Sequence, residues 1–351
     1  MDVFACAHCG AVLTSPVSQV AFPAHGRQTV WEQLLPVLME PGTYTVDPEP
    51  YGPPWQKVEP AEAEALGIFA PVEIVSFGAP GRIILAPGDT HGMVLVFERC
   101  DGYCRGVDGR DGPNLACRQC GHLVATRLDD CSTWQEVCFE PDTVRRIPTD
   151  IPHCLPVDWA LEELRGAPPI DLSDWQDPRW EAATGAALAH LVAASAGSPI
   201  GLPQGLTENV FGHPLDLLLP PGPPSKSMSL AGPGLPVPDA DIALVPQHPR
   251  TGEAWQPPGA AEVVPLAAKV WAQLAFYRVR PPFPVTGRLS DDVIRGDDPL
   301  PPRPRHLFSP DPKIFLRTLA RLPAVRQPWL RQIYDHVRTR YSYRAFWMDC
   351  P

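Results

Sequence analysis

Ala5-Cys6-Ala7-His8-Cys9-Gly10-Ala11-Val12-Leu13 opens the chain, and Ala116-Cys117-Arg118-Gln119-Cys120-Gly121-His122-Leu123-Val124 repeats its design far downstream. Each is a Cys-x-x-Cys-Gly turn running into small and apolar residues. The two-residue spacer lets both sulfurs of a turn face one hollow, and the glycine admits a positive φ at no steric cost. A tetrahedral zinc ion wants four soft thiolates at about 2.3 Å, and two such turns supply four. The spacing therefore predicts a split zinc site made of Cys6, Cys9, Cys117 and Cys120, closing a β-rich domain over residues 1–150.

A local set competes with it. Cys100, Cys104, Cys117 and Cys120 form Cys-x3-Cys-x12-Cys-x2-Cys, which could close a finger alone. The split site is preferred because the two turns share spacing and trailing glycine. Cys100 and Cys104 are then spare thiols, or hold a second ion with Cys131 or Cys138. Four thiolates leave no open coordination position, so the expected zinc is structural; a catalytic zinc would need His8, His91 or His122 to replace a thiolate.

Between the turns, short β-type runs are expected at Ala11–Val20, Val72–Phe77, Arg82–Leu85 and Gly92–Arg99, then Leu123–Leu128 and Glu136–Phe139. Thr29 and Glu32 make a capping box for a helix over Thr29–Met39. Glu62–Leu66 is at most one helical turn. The glycine- and aspartate-rich loop Asp101–Asn114 lacks the terminal glutamate of a calcium loop, so its acids read as solvated turn residues.

Residues 151–351 read as a proline-rich, partly helical region, which makes the whole chain α+β. Helices are expected at Asp158–Arg165 and Pro178–Ala194, the latter with Asp177 as N-cap and Gly197 past its end. From Ser198 to Gly259, 22 of 62 residues are proline or glycine, so residues 198–260 read as irregular, anchored by Leu215–Leu219 and Ile242–Val245. Further helices are expected at Ala261–Tyr277, Pro312–Leu322 and Val325–Arg340. The last two read as a packed hairpin over 312–340, with Phe315, Leu319 and Leu322 on one stripe and Val325, Trp329, Ile333 and Val337 on the other.

Composition narrows the function classes. The chain has 351 residues, 44% of them hydrophobic, enough for two domains with a real core in at least one. Its 47 prolines, against a usual share of about 5%, deny long helices and central strands to much of it. Net charge is −11, yet Arg303–Arg344 holds ten Lys/Arg against Asp311 and Asp335, a local +8 that leaves −19 elsewhere. Lys313, Arg317 and Arg321 recur at i, i+4 and i+8, and Arg326, Arg331, Arg338, Arg340 and Arg344 follow with Tyr341 and Tyr343. This basic hairpin is the expected contact for a protein or nucleic-acid partner, with a solvated face as the plainer reading.

Met1–Cys6 carries no basic region followed by an apolar run, and no stretch approaches about 18 apolar residues. A cytoplasmic protein without a membrane segment is the expectation, with its ten cysteines as thiols and thiolates. No phosphate loop, Gly-x-Ser-x-Gly elbow or His-Glu-x-x-His is present. Cys131 follows Asp129-Asp130, whose charge disfavours a thiolate, and Cys138 sits in an apolar alternation; Cys154 and Cys350 carry thinner signals still.

Phe4–Gly10 and Leu115–Leu123 resemble the knuckles of zinc ribbons. At this long separation they are more similar to the β-tent superfamily, which includes B-type methionine sulfoxide reductases, formaldehyde-activating-like proteins and the cereblon ligand-binding domain. The resemblance covers residues 1–140 and implies a β-rich fold around a four-cysteine zinc site. Where the reductases carry an Arg-Tyr-Cys catalytic segment, this chain has Asp130-Cys131-Ser132-Thr133-Trp134, so no reductase activity is implied. Trp31, Trp55 and Trp134 do not match the tryptophan cage of the ligand-binding branch. The expected function is partner binding by a zinc-stapled protein; the alternative is a thiol- or metal-dependent enzyme using Cys131 or Cys138.

Overall fold

A computed structural model describes residues 1–30, 34–72, 74–102, 104–152, 177–237, 239–259, 261–276 and 309–340. The fold is α+β, strand-rich in its N-terminal half with helices concentrated in the C-terminal part. Two compact units divide it: Met1–Val157 with His248–Glu253, and Asp158–Gln247 with Ala254–Pro351.

In the first unit β1 (Asp2–Cys6) pairs antiparallel with β11 (Val144–Pro148), in register from Asp2↔Pro148 to Cys6↔Val144. A seven-stranded sheet takes the other long strands. Its members in chain order are β2 (Ser18–Gln19), β3 (Thr43–Val46), β6 (Ile83–Leu85), β7 (Met93–Leu95), β8 (Leu115–Cys117), β9 (Leu123–Leu128) and β10 (Glu136–Phe139). The spatial order is β2-β3-β6-β10-β9-β8-β7. A separate pair joins β4 (Trp55–Gln56) to β5 (Val75–Ser76), and one short helix, α1, covers Pro60–Ala65.

Two hydrophobic clusters follow from the period-two alternation of the strands. Leu85, Val137 and Phe139 join Phe4, Leu13, Tyr44 and Val124 in one cluster, with Phe4 edge-on to Tyr44 at 5.0 Å. Ile84 and Cys138, one step along the same strands, join Leu35, Leu38, Met39 and Trp134 in the other. Cys6 and Cys117 belong to the first cluster, so the knuckles grow directly out of its core.

Several expectations are corrected here. No helix covers 34–39: Val37 bridges Gln135, the Gln135 N–H donates to Pro36 O, and Leu38 N–H donates to Gln135 O. Pro36 explains the outcome, since a proline deep in a helix removes a hydrogen bond and clashes one turn back. The run Ala11–Val20 becomes isolated bridges at Val12, Thr14 and Val17 followed by β2. Gly92–Arg99 keeps only β7 before a 3-10 turn at Phe97–Arg99. Trp31, Glu32, the helix at Asp158–Arg165, Cys154, Tyr341, Tyr343, Arg344 and Cys350 lie outside the described residues.

The second unit holds an all-parallel sheet of β12 (Ile200–Gly201), β13 (Lys226–Leu230), β14 (Ile242–Gln247) and β15 (Glu262–Ala267), in that order. Its helices are α2 (Pro178–Ala194), α3 (Leu206–Leu218), α4 (Ala268–Phe276), α5 (Pro312–Arg321) and α6 (Pro328–Arg340). The segment 198–260 is thus not irregular. Only β14 is an apolar run buried along its length, as the centre of a parallel sheet requires; β12, β13 and β15 are half-buried for the most part, and the intervening prolines and glycines disguise all four. Ile242 to Val245 is wholly buried. The helix expected from Ala261 begins only at Ala268, because 262–267 is β15; Pro265 is tolerated on this edge strand, where no partner needs its missing N–H.

α2 has the expected bounds, with the Asp177 carboxylate accepting from Arg179 N–H at 2.9 Å. Its Gly185 sits against the backbone of Asp311, the N-cap of α5. Of the stripe expected on α6, Val325 and Val337 are fully buried, but Leu330 and Tyr334 take the buried places expected of Trp329 and Ile333, because Pro328 restarts the helix after a 3-10 turn at Pro323–Arg326.

Candidate metal centre

Both knuckles are the same hydrogen-bonded hairpin, built at the ends of β1 and β8. Cys6 N–H donates to Ala11 O and Gly10 N–H to Cys6 O; Cys117 N–H donates to His122 O and Gly121 N–H to Cys117 O, all at 2.8–2.9 Å. Gly10 and Gly121 hold φ of +78° and +73°, the left-handed region that a side chain would strain. The repeated motif in the sequence is therefore a repeated backbone shape.

The strands then bring the hairpins together. Sulfur-to-sulfur distances are 3.8 Å for Cys6–Cys120 and 3.6 Å for Cys9–Cys117, and all four Sγ atoms lie within 4.8 Å of one another. Four thiolates about 2.3 Å from a central ion define a tetrahedron with edges of about 3.8 Å. The four sulfurs fit a metal ion on that geometry.

Backbone donors also favour thiolates. Burial raises the Cys117 thiol, but the N–H groups of Cys120 and Gln119 aimed at its sulfur, with the neighbouring thiols, bring it down to about 7. At Cys120 the His122 N–H lowers the pKa, yet burial and three neighbouring sulfurs push it up to about 12. Cys9 is raised as well: the Ala11 N–H and the Cys120 sulfur lower it, but burial and the Cys117 and Cys6 sulfurs outweigh them. One thiol in the hollow gives up its proton readily while its neighbours resist a second negative charge. A cation at the centre removes that resistance.

No described histidine enters the set. His8 and His122 are exposed and stack face to face over the knuckles at 5.5 Å and 14°, and His91 is exposed too. A three-thiolate site with a histidine is not what the chain assembles.

The local alternative is not brought together. Cys100 points to Val96 O at 3.5 Å, and burial together with Asp111 and Glu98 raises its thiol. Cys104 meets Cys131 and Asp130 instead. Cys138 is fully buried, donating to Glu136 Oε1 at 3.1 Å, with burial and the Glu136 charge holding its thiol well above the usual value. Cys138 is thus a core residue with no exposed surface.

Of the basic residues, Lys313, Arg317 and Arg321 on α5 are half-buried, and the Arg321 guanidinium donates to Arg317 O at 3.1 Å. Arg331 and Arg338 on α6 both face Asp335, at 3.0 and 3.8 Å.

Sequence reasoning missed one buried charged group. Arg27 and Arg82 both bond Asp47, and their guanidinium groups lie 4.3 and 4.6 Å from the Tyr51 ring centroid. Nothing in spacing flags residues so far apart in the chain.

Comparison with family models, with curated proteins and with solved structures gave no match to this chain. The zinc-ribbon and β-tent resemblance therefore rests on the cysteine quartet and its knuckles alone.

Proposed function

We propose that this chain is a zinc-stapled binding protein in which Cys6, Cys9, Cys117 and Cys120 hold a structural ion and action comes through a protein partner. The observation carrying the reading is the sulfur tetrahedron, with its edges of 3.6 and 3.8 Å. When bound, the ion supplies the positive charge that lets four adjacent thiolates coexist. The chain's own part is to aim backbone N–H groups at the sulfurs and to tie β1 to β8. A complete thiolate set leaves no position for a substrate or an activated water, which favours binding over metal chemistry.

A protein partner is preferred to nucleic acid. The guanidinium groups of Arg331 and Arg338 are already committed to Asp335, and the chain as a whole carries −11. The enzyme alternative through Cys131 is disfavoured. Its thiol is pushed up to about 11 by Cys104, burial and Asp130, leaving little thiolate at neutral pH.

The test is metal content by mass spectrometry on wild type and Cys6→Ser. One zinc per chain, lost in the variant, is the expected result. Iron in its place overturns the choice of ion, and full retention of zinc by the variant overturns the site. A salt-sensitive electrophoretic shift with nonspecific DNA would overturn the preference for a protein partner.

A further inference from the structure

The loop after β7 and the turn after β9 bring together two cysteines that the metal centre does not use. Cys104 Sγ and Cys131 Sγ are 2.9 Å apart although the residues are 27 positions apart in the chain. Cys104 is exposed, and Cys131 is half-buried behind it.

The surrounding backbone holds them there. The Asp130 carboxylate accepts the Cys131 N–H at 2.6 Å and the Arg105 N–H at 3.3 Å, linking the residues beside both cysteines. Asp129 N–H donates to Val107 O at 2.8 Å, and the Asp129 carboxylate pairs with Arg105 at 3.2 Å and Arg127 at 3.0 Å. Gly106 completes the loop: it holds φ of +81°, and a Cβ there would meet Cys100 O at 2.6 Å. Cys104 itself adopts φ of +37°, unusual for a residue with a side chain.

We propose that Cys104 and Cys131 are a reversible thiol–disulfide site whose co-substrate is a small disulfide of the glutathione class. A shared metal ion is the rival, and the geometry favours the bond. Two thiolates on one ion stand about 3.8 Å apart, the spacing found at Cys6–Cys120, and this pair is much closer. The third member of the group, Asp130, spends its carboxylate on two backbone N–H groups.

Exposure sets the order of events. The Cys104 thiolate attacks one sulfur of the small disulfide and releases the first thiol, leaving a mixed disulfide on Cys104. Cys131 then gives up its proton and attacks the Cys104 sulfur, expelling the second thiol. The protein loses two electrons and two protons, and the small disulfide gains both to become two thiols. The raised Cys131 pKa makes the second step the slow one at neutral pH. The site does not depend on the zinc reading, although the closed ring contains Cys117 and Cys120.

The experiment treats the full chain, purified reduced, with oxidised glutathione, traps free thiols with iodoacetamide and maps peptides by mass spectrometry. Wild type is expected to yield a Cys104–Cys131 cross-linked peptide. Cys131→Ser is expected to stop at a glutathione adduct on Cys104, and Cys104→Ser to slow modification of Cys131 by at least about tenfold. Both variants should melt near wild type, because neither side chain is buried in a core cluster. Glutathione adducts on wild type without the cross-link would overturn the proposal. So would added zinc bound in a second equivalent that shields both thiols and disappears in Cys104→Ser.

Discussion

Replacing Cys117 by serine removes one corner of the sulfur tetrahedron while keeping the side chain nearly isosteric. Cys117 is fully buried, and its sulfur receives the Gln119 and Cys120 N–H groups. The hydroxyl can accept those bonds, but at neutral pH it does not ionise to ligate an ion. Structural zinc contributes roughly 10–16 kcal/mol in small sites, or about 3 kcal/mol per ligand if shared evenly. The poorly matched polar group left in the core adds about 1–3 kcal/mol. Together these predict a loss of about 4–6 kcal/mol, and for a unit of this size a Tm lower by about 10–20 °C. Thermal unfolding of the full chain measures the shift, and hydrogen exchange on peptides from β1, β8 and β9 assigns it to the first unit. Cys100→Ser is the control, since its thiol stands outside the quartet, and should keep both metal and Tm. Treating wild type with a strong chelator removes the whole ion and should lower the Tm at least as far. If Cys117→Ser retains one ion per chain and melts within about 2 °C of wild type, the four-thiolate reading is wrong.

Two further predictions concern other supports of the fold. Burial raises the Asp2 carboxyl, but hydrogen bonds from Arg146 and Tyr44 outweigh it and hold the group below the ordinary range. A carboxyl lowered in the folded state adds stability above its unfolded value of about 3.9, and that stability is lost as pH falls through the lowered native value. Asp2→Asn should therefore be less stable than wild type at pH 6, with the gap closing in the most acid part of an acid-denaturation series; a gap independent of pH would refute the assignment. On α2, a Cβ at Gly185 would meet Asp311 O at 2.4 Å and Asp311 N at 3.0 Å. The Asp311 N–H is itself bonded to Glu181 O at 2.8 Å, so the backbone there is tied down. Gly185→Ala should destabilise the second unit by about 1–3 kcal/mol despite alanine's better helix propensity, read as a lower urea midpoint; a raised midpoint would contradict the close packing of α2 on α5.

How far the sequence could be read depended on whether a feature was local. Both knuckles, α2 with its Asp177 cap and Pro178 start, and strands β9 and β10 could be recognised because turn residues, caps and period-two patterns act over a few positions. β1 and β11 were not anticipated: they pair residues such as Phe4 and Arg146, and neither strand has an alternation that stands out alone. β13 was hidden because Lys226–Leu230 is short and largely polar, and β14 was legible only as the apolar anchor Ile242–Val245, its pairing masked by the surrounding prolines and glycines. The capping box at Thr29 pointed to a helix, but Pro36 and the pairing of Val37 with Gln135 outweighed it over the described part.

The chain's covalent order determined that four cysteines would be presented in two identical turns, since Cys-x-x-Cys-Gly dictates its own hairpin through the positive φ of Gly10 and Gly121. It could not decide between partners. Cys117 and Cys120 fitted a set with Cys100 and Cys104 as well as one with Cys6 and Cys9, and only the packing of β1 and β8 into one core selected the second. The same packing sent Cys104 to Cys131 and sealed Cys138 behind Glu136. Spacing governs which ligands can share a turn; which turns share a site is settled by long-range strand pairing and the burial it produces.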